Sequence, residues 1–269
     1  MKLLFSVRSH KGNIKKNNED NLYADGLTLL PKYCNRPYSA DAYANTPAIF
    51  AVFDGVGGME NGEFASNIAA TKLAEFQEIF RNTKCNDLSA FVQQYVNIVH
   101  NDIDSSAKRT GTTLALAIVT NKGLHCYNVG DSRIYCLKGS NFSRVTTDHT
   151  KGTELAQKQN ISMEQARCHP DGNKLTRCIG YGKKYNVDAY PMISGKCRLL
   201  ICSDGLSDMI PDIELCSILR SNKLIPDCAD KLIDVALKKG GKDNITFVIF
   251  DILPYSIKDH FIDIFRKWR

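Results

Sequence analysis

A chain of 269 residues that is 43% hydrophobic is long enough for one domain with a sizeable core, and 35 Lys and Arg against 29 Asp and Glu give a mild excess of +6. The basic residues are spread along the chain rather than gathered into a tract or an aromatic-interleaved stripe, which leaves no nucleic-acid surface, and no apolar run is long enough to span a membrane. The stretch Met1-Lys2-Leu3-Leu4-Phe5 is too short for a signal peptide, so a soluble, cytoplasmic monomer is expected.

The first strands are predicted at Leu3 to Arg8 and Asn21 to Tyr23, with Asn18-Glu19-Asp20 between them. A polar, turn-rich insert from Pro31 to Pro47 precedes a third strand, Ala48 to Phe53. Helical spacing then appears twice, in Phe64, Ile68, Leu73, Phe76 and Phe80 after Gly62, and in Leu88, Val92, Tyr95, Val99 and Ile103 after the N-cap residue Asp87. Thr112 to Thr120, Gly123 to Val129 and Ser132 to Leu137 read as a meander of strands, the first pair joined by the Asn121-Lys122-Gly123 turn. Thr150 to Asn173 is polar and partly helical, too long for an ordinary connection, and is read as a functional flap. Strands return at Val187 to Tyr190 and Arg198 to Cys202, helices at Ile213 to Arg220 and Cys228 to Lys238, and a last strand at Ile245 to Ile252. Because strands run in groups and helices run in groups, the fold class is α+β with antiparallel sheets. Residues 1–253 are read as one domain and 254–269 as an amphipathic tail packed on the surface. The ten cysteines form no Cys-x-x-Cys pair, and Cys126, Cys136, Cys197 and Cys202 lie within apolar runs, so they are read as buried reduced thiols rather than disulfide or zinc ligands.

Chemistry is concentrated in four acidic signatures: Asn18-Glu19-Asp20, Asp54-Gly55-Val56-Gly57-Gly58, Asp204-Gly205-Leu206-Ser207-Asp208 and Asp243-Asn244. Three of them abut apolar strands, which puts their carboxylates at a sheet edge. Oxygen-only donors suit Mg or Mn rather than zinc, and a pair of such ions needs a bridging carboxylate and flanking ones from different strands. Asp54, Asp204 and Asp243 fit those roles; Glu19 and Asp20 could add a further arm through ordered water.

The ordered series formed by these signatures with Gly111-Thr112-Thr113, Gly130-Asp131-Ser132-Arg133, Asp148-His149 and Leu175-Thr176-Arg177 resembles the PP2C (PPM) family of metal-dependent serine/threonine phosphatases over residues 3 to 252. The segment His149 to Gly180 is similar to the flap of the compact bacterial members that oppose eukaryotic-like kinases. The resemblance implies a sandwich of two antiparallel sheets flanked by helix pairs, with a dinuclear Mn or Mg centre at one end. It implies that Asp54 bridges the ions, that the Gly55 carbonyl and Glu19 serve one and Asp204 and Asp243 the other, that Asp20 orients bound water, and that Asp131 and Asp208 hold a weaker third ion. Hydroxide generated between the metals would attack phosphorus in line, with no protein nucleophile. Cys202 does not begin the loop of a cysteine phosphatase, because position 208 is Asp rather than Arg.

Two positions depart from the family pattern. Lys15 stands where the family places an arginine for the substrate phosphate, and a lysine offers a point charge in place of a bidentate fork. Val56 stands where many eukaryotic members carry a His proposed as general acid; His149 is a distant second candidate, read first as a loop-fixing partner. Arg177 is read as a structural or substrate-orienting cation near the flap, and Arg133 as a member of a strand-edge ion pair. The expected substrates and partners are phosphorylated proteins and the kinase that modifies them. A non-hydrolytic pseudophosphatase is opposed by the complete acidic set, and a small-phosphoester hydrolase is the remaining alternative.

Overall fold

The structure is a computed structural model and describes residues 2–29, 36–57, 61–82, 87–106, 109–159, 161–162, 165–166 and 169–253. The C-terminal tail assigned from the sequence lies outside these residues.

Two six-stranded antiparallel sheets face each other. The first runs in the order β11-β10-β13-β14-β1-β4, from strands Asn141–Arg144 (β11), Arg133–Lys138 (β10), Arg198–Cys202 (β13), Ile245–Leu253 (β14), Lys2–His10 (β1) and Tyr38–Asn45 (β4). The second runs β12-β9-β8-β5-β2-β3, from Asp188–Ala189 (β12), Leu124–Val129 (β9), Leu114–Val119 (β8), Ala48–Phe53 (β5), Asn21–Ala24 (β2) and Leu27–Thr28 (β3). A short ribbon of Gly55–Gly57 (β6) and Thr110–Thr112 (β7) stands apart.

The apolar runs are continuous because both faces of the central strands are covered. Phe50 and Val52 of β5 point to the inter-sheet core with Val248 and Phe250 of β14, while Ile49, Ala51 and Phe53 point outward. Phe50 stacks on Phe250 with centroids 4.4 Å apart, and Phe5 meets Phe50 edge-on at 5.3 Å, so aromatic contact joins the sheets. Helices α1 (Gly62–Asn82) and α2 (Leu88–Asp104) cover the outer face of the second sheet. Asp87 caps α2 as predicted, accepting the Ala90 N–H at 3.0 Å. Helix α3 (Lys151–Gln159) opens the flap, α4 (Asp204–Ser207) is a single turn after β13, and α5 (Asp212–Ser221) and α6 (Ile225–Lys238) cover the outer face of the first sheet.

Two sequence expectations require correction. The insert before Pro47 is not all turn: Tyr38–Asn45 pairs with β1 as an edge strand, with Ala40, Ala42 and Ala44 inward and Ser39, Asp41 and Tyr43 exposed. The three strands from Thr112 to Leu137 are not one meander. Thr113 breaks the first into β7 and β8, and the Gly130 turn, at φ 103°, carries the chain from β9 in one sheet to β10 in the other. That crossing is what delivers Asp131 to the end of the sandwich.

Candidate metal centre

Strand register places every acidic signature at the same end. His10 at the end of β1 pairs with Ile245 at the start of β14, Asn21 at the start of β2 pairs with Phe53 at the end of β5, and Arg133 at the start of β10 pairs with Cys202 at the end of β13. The loops beyond these pairs carry Lys15, Glu19, Asp20, Asp54, Asp131, Asp204 and Asp243. They form a cleft of about 650 Å³ lined by Lys15, Glu19, Asp54, Gly55, Val56, Asp131, Asp204 and Asp243, with Arg109, Lys174 and Tyr181 also at its wall. Asp208 lines an adjoining hollow that shares Asp204 and Asp243 with the cleft.

Polar side chains outside the acidic set lock these loops together. Asn244 accepts the Glu19 N–H at 2.8 Å and donates from Nδ2 to the carbonyls of Lys11 and Asn17, each at 2.9 Å. Ser203 donates to Asp20 Oδ2 at 2.8 Å and accepts the Thr246 N–H at 3.0 Å. The Gly111-Thr112-Thr113 motif braces Asp54: its N–H donates to Thr113 Oγ1 at 2.9 Å, and its carbonyl accepts from Thr113 N at 2.9 Å and Thr112 Oγ1 at 3.0 Å. Thr113 Oγ1 in turn lies 2.7 Å from Ser132 Oγ, beside Asp131. Close backbone approach requires glycine at two facing positions, because a Cβ on Gly55 would stand 2.3 Å from the Gly62 carbonyl oxygen and one on Gly62 would stand 2.7 Å from that of Gly55. With no side chains between them, the first turn of α1 reaches the Glu19 carboxylate.

The acidic groups hold protons more tightly than free carboxyls. Burial, then repulsion from Asp20, Asp204, Asp131 and Asp243, pushes Asp54 well above the usual range. Burial raises Asp131 in the same way, with Asp204 and Asp148 adding to it. Asp20 is pushed up to about 7 by burial, against the hydrogen bonds from Ser203 and Thr246 that favour its charged form, and Asp204 to about 6 by burial and by Asp208 and Asp243. Burial also raises Glu19, with Glu63 adding to it, and Asp208. Asp204 is in hydrogen-bond contact with Asp54. Asp20 Oδ1 is buried and makes no hydrogen bond. A buried carboxylate oxygen without a hydrogen bond, in a group under repulsion from neighbouring carboxylates, is costly unless a cation or its bound water completes it, so the residues present fit hard divalent cations. Among the described residues no three such side chains converge on one point; the fit rests on the donor set and its electrostatics.

A pH dependence follows. Each raised carboxyl contributes stability that is complete below its unfolded value of 3.8 and lost as the pH rises through about 6 for Asp204 and about 7 for Asp20. A divalent cation opposes that loss and competes with protons for the same oxygens. The increase in melting temperature on adding Mn²⁺ is therefore expected to be larger at pH 7.5 than at pH 5.5; equal shifts would show that these carboxyls do not titrate with binding.

Arg177 is not brought to the cleft. Its guanidinium donates to Asp188 at 2.9 Å and lies over the Tyr185 ring, so its charge is engaged beside the flap. His149 is a brace: Nδ1 accepts the Gly130 N–H at 3.0 Å, which leaves the proton on Nε2 to meet Asp188 at 3.0 Å, and its backbone N–H returns to the Gly130 carbonyl at 2.9 Å. Arg133 forms a buried fork on Asp148, Nε to Oδ1 at 3.0 Å and Nη2 to Oδ2 at 2.7 Å. Cys202 faces the core beneath α5 and α6, fully buried, and burial pushes its thiol up. Among the described residues the seven cysteines are all free thiols.

A family described as Protein phosphatase 2C matches residues 14–245. The chain is 32% identical to the serine/threonine phosphatase stp of Listeria monocytogenes serotype 4b, over 91% of this chain and 94% of that protein. It is 29% identical to the serine/threonine protein phosphatase PstP of Mycobacterium tuberculosis, over 94% of this chain and 46% of that protein. The crystal structure of the Mycobacterium tuberculosis phosphatase PstP/Ppp superposes with a TM-score of 0.77 at 27% identity, covering 94% of this chain and 100% of that one. The catalytic domain of PstP in complex with two manganese ions gives 0.75 at 26% identity, with the same coverage.

Proposed function

The chain belongs to the protein phosphatase 2C family, and from that membership we propose how its acidic cleft performs the dephosphorylation of phosphoserine and phosphothreonine in proteins. It is a protein serine/threonine phosphatase. The residues fit two divalent cations, manganese or magnesium: Asp54 would serve both, the Gly55 carbonyl and Glu19 would serve one, and Asp204 and Asp243 would serve the other. Asp131, in the cleft, and Asp208, in the adjoining hollow, would be the pair for a weaker third ion.

When bound, divalent cations would lower the pKa of a coordinated water and neutralise phosphoryl oxygens. Asp20 keeps one oxygen on Ser203 and has the other buried without a hydrogen bond, which suits it to accept a proton from ordered water and fix its orientation. Lys15, at the cleft wall, supplies a positive point charge for the substrate phosphate. Val56 brings no proton donor, and His149 is committed to Gly130 and Asp188, so the leaving alkoxide takes its proton from water.

The observation that carries this reading is that four separate loops bring raised carboxyls, Glu19 and Asp20, Asp54, Asp131, and Asp204 with Asp208, to one end of the sandwich, where a buried Asp20 oxygen has no hydrogen bond. No membrane-crossing helix occurs among the described residues, and phosphorylated proteins, the products of a serine/threonine kinase, are the proposed substrates. Phosphate release from a phosphothreonine peptide is the test. Release is expected with Mn²⁺ and not with excess EDTA; peptide turnover absent while small phosphoesters are cleaved would move the assignment to a small-molecule phosphatase.

A further inference from the structure

Lys15 lies at the acidic cleft and makes a specific contact there. Its Nζ stands 2.8 Å from Asp243 Oδ1, with 43% and 42% of the two side chains exposed. Their meeting is not a chance encounter of two surface chains, because both loops are tied at the backbone. Asn13 N–H donates to the Gly241 carbonyl at 2.7 Å, Asn13 Nδ2 reaches the Leu237 and Gly240 carbonyls at 2.9 and 3.1 Å, and Asn244 Nδ2 holds the carbonyls of Lys11 and Asn17. Lys15 is thus carried between two clamped points, and Asp243 precedes the residue that clamps it.

We propose that Lys15 is a positioning cation with two stations: Asp243, from which a divalent cation displaces it, and the cleft mouth, where the freed ammonium meets the substrate phosphate. This rests on the reading of the cleft as a divalent-cation site. Asp243 Oδ1 cannot pair closely with an ammonium and ligate a divalent ion at once, since the two cations would repel at contact distance, and the doubly charged one prevails. The displacement costs little, because a half-exposed ion pair is weak. A lysine suits this exchange better than an arginine, whose fork would grip the carboxylate at two points while the four-carbon lysine stem pivots about one. The consequence is order: the phosphate-binding charge is withheld until Asp243 is taken by metal.

The experiment reads Lys15 directly, by the rate of amine acetylation at Lys15 against its neighbour Lys16, resolved by mass spectrometry in the full chain. In metal-stripped protein Lys15 is expected to lag Lys16. Saturating Mg²⁺ is expected to accelerate Lys15 alone by about threefold or more, the scale of an exposed ion pair, and orthophosphate added with Mg²⁺ to slow it again. Asp243→Asn is expected to label fast at Lys15 with and without Mg²⁺. By calorimetry, Lys15→Met is expected to tighten the weaker of two Mn²⁺ sites by about threefold, and Lys15→Arg is not. If wild-type protein binds two Mn²⁺ and the Lys15 rate ignores Mg²⁺, the two-station proposal is overturned and the metal reading stands; if wild-type protein binds no Mn²⁺, both are overturned.

Discussion

Asp54→Asn is expected to abolish Mn²⁺-dependent phosphate release, by about 10³-fold or more, while leaving the metal-free protein as stable as wild type or more so. The activity loss follows from the proposed role of Asp54 as the carboxylate shared by two cations, since a neutral amide cannot neutralise both, and several kcal/mol of charge stabilisation depend on them. The stability effect has the opposite sign for a physical reason. Asp54 is pushed well above the usual carboxylate range first by burial and then by Asp20, Asp204, Asp131 and Asp243, so at neutral pH its ionisation opposes folding. An amide of nearly the same shape removes that charge and can keep the backbone contacts with Thr112 and Thr113, which do not involve the side chain. Chemical denaturation without metal, alongside peptide turnover with Mn²⁺, checks both halves. A marked loss of metal-free stability would mean that the Asp54 carboxylate supports the fold by itself, contrary to a cluster under mutual repulsion.

The acidic signatures were legible because each is short and charged and three of the four abut an apolar strand. Which partners secure them was not. Asn244 reads in the sequence as a turn residue after Asp243, yet it ties three points of the loop between β1 and β2, Lys11, Asn17 and Glu19, to the start of β14. Ser203 and Thr113 are as ordinary in sequence and as central in space. Their signal was position alone, one residue from a carboxylate or inside a recurring motif; the identity of a partner some 180 or 225 residues away is a property of strand register, not of local composition. The edge strand β4 was obscured for a different reason. Its inward positions are alanines, whose small apolar signal is lost among serine, aspartate and tyrosine on the exposed face. Between the structural and substrate-orienting readings of Arg177 the sequence offers no choice, because its partner Asp188 is carried by the two-residue strand β12. Arg109 reaches the cleft wall from a position that no pattern singled out, and Lys174 from within the flap segment, where it carried no assigned role.

Gly205→Ala is expected to be the most damaging single methyl group that can be added near the site. A Cβ there would stand 1.9 Å from the Asn244 carbonyl oxygen and 3.3 Å from Asp243 Cβ. Neither neighbour can retreat freely. Asn244 is fixed through its own side chain to three backbone groups, and Thr246, two residues on, exchanges hydrogen bonds with Ser203, its N–H reaching Ser203 Oγ at 3.0 Å and its carbonyl accepting the Ser203 N–H at 2.9 Å. The strain must therefore separate α4 from the start of β14, and those two segments carry Asp204 and Asp243. Overpacking of this kind costs about 3 kcal/mol, and here it also parts two proposed ligands of one cation. Loss of stability by that amount in denaturant, together with loss of the tighter stabilisation by Mn²⁺, is the expected pair of results. A Gly205→Ala protein that unfolds like wild type and still gains full stability from Mn²⁺ would show that the distance between Asp204 and Asp243 is set elsewhere, and that the glycine following the aspartate serves the turn rather than the metal.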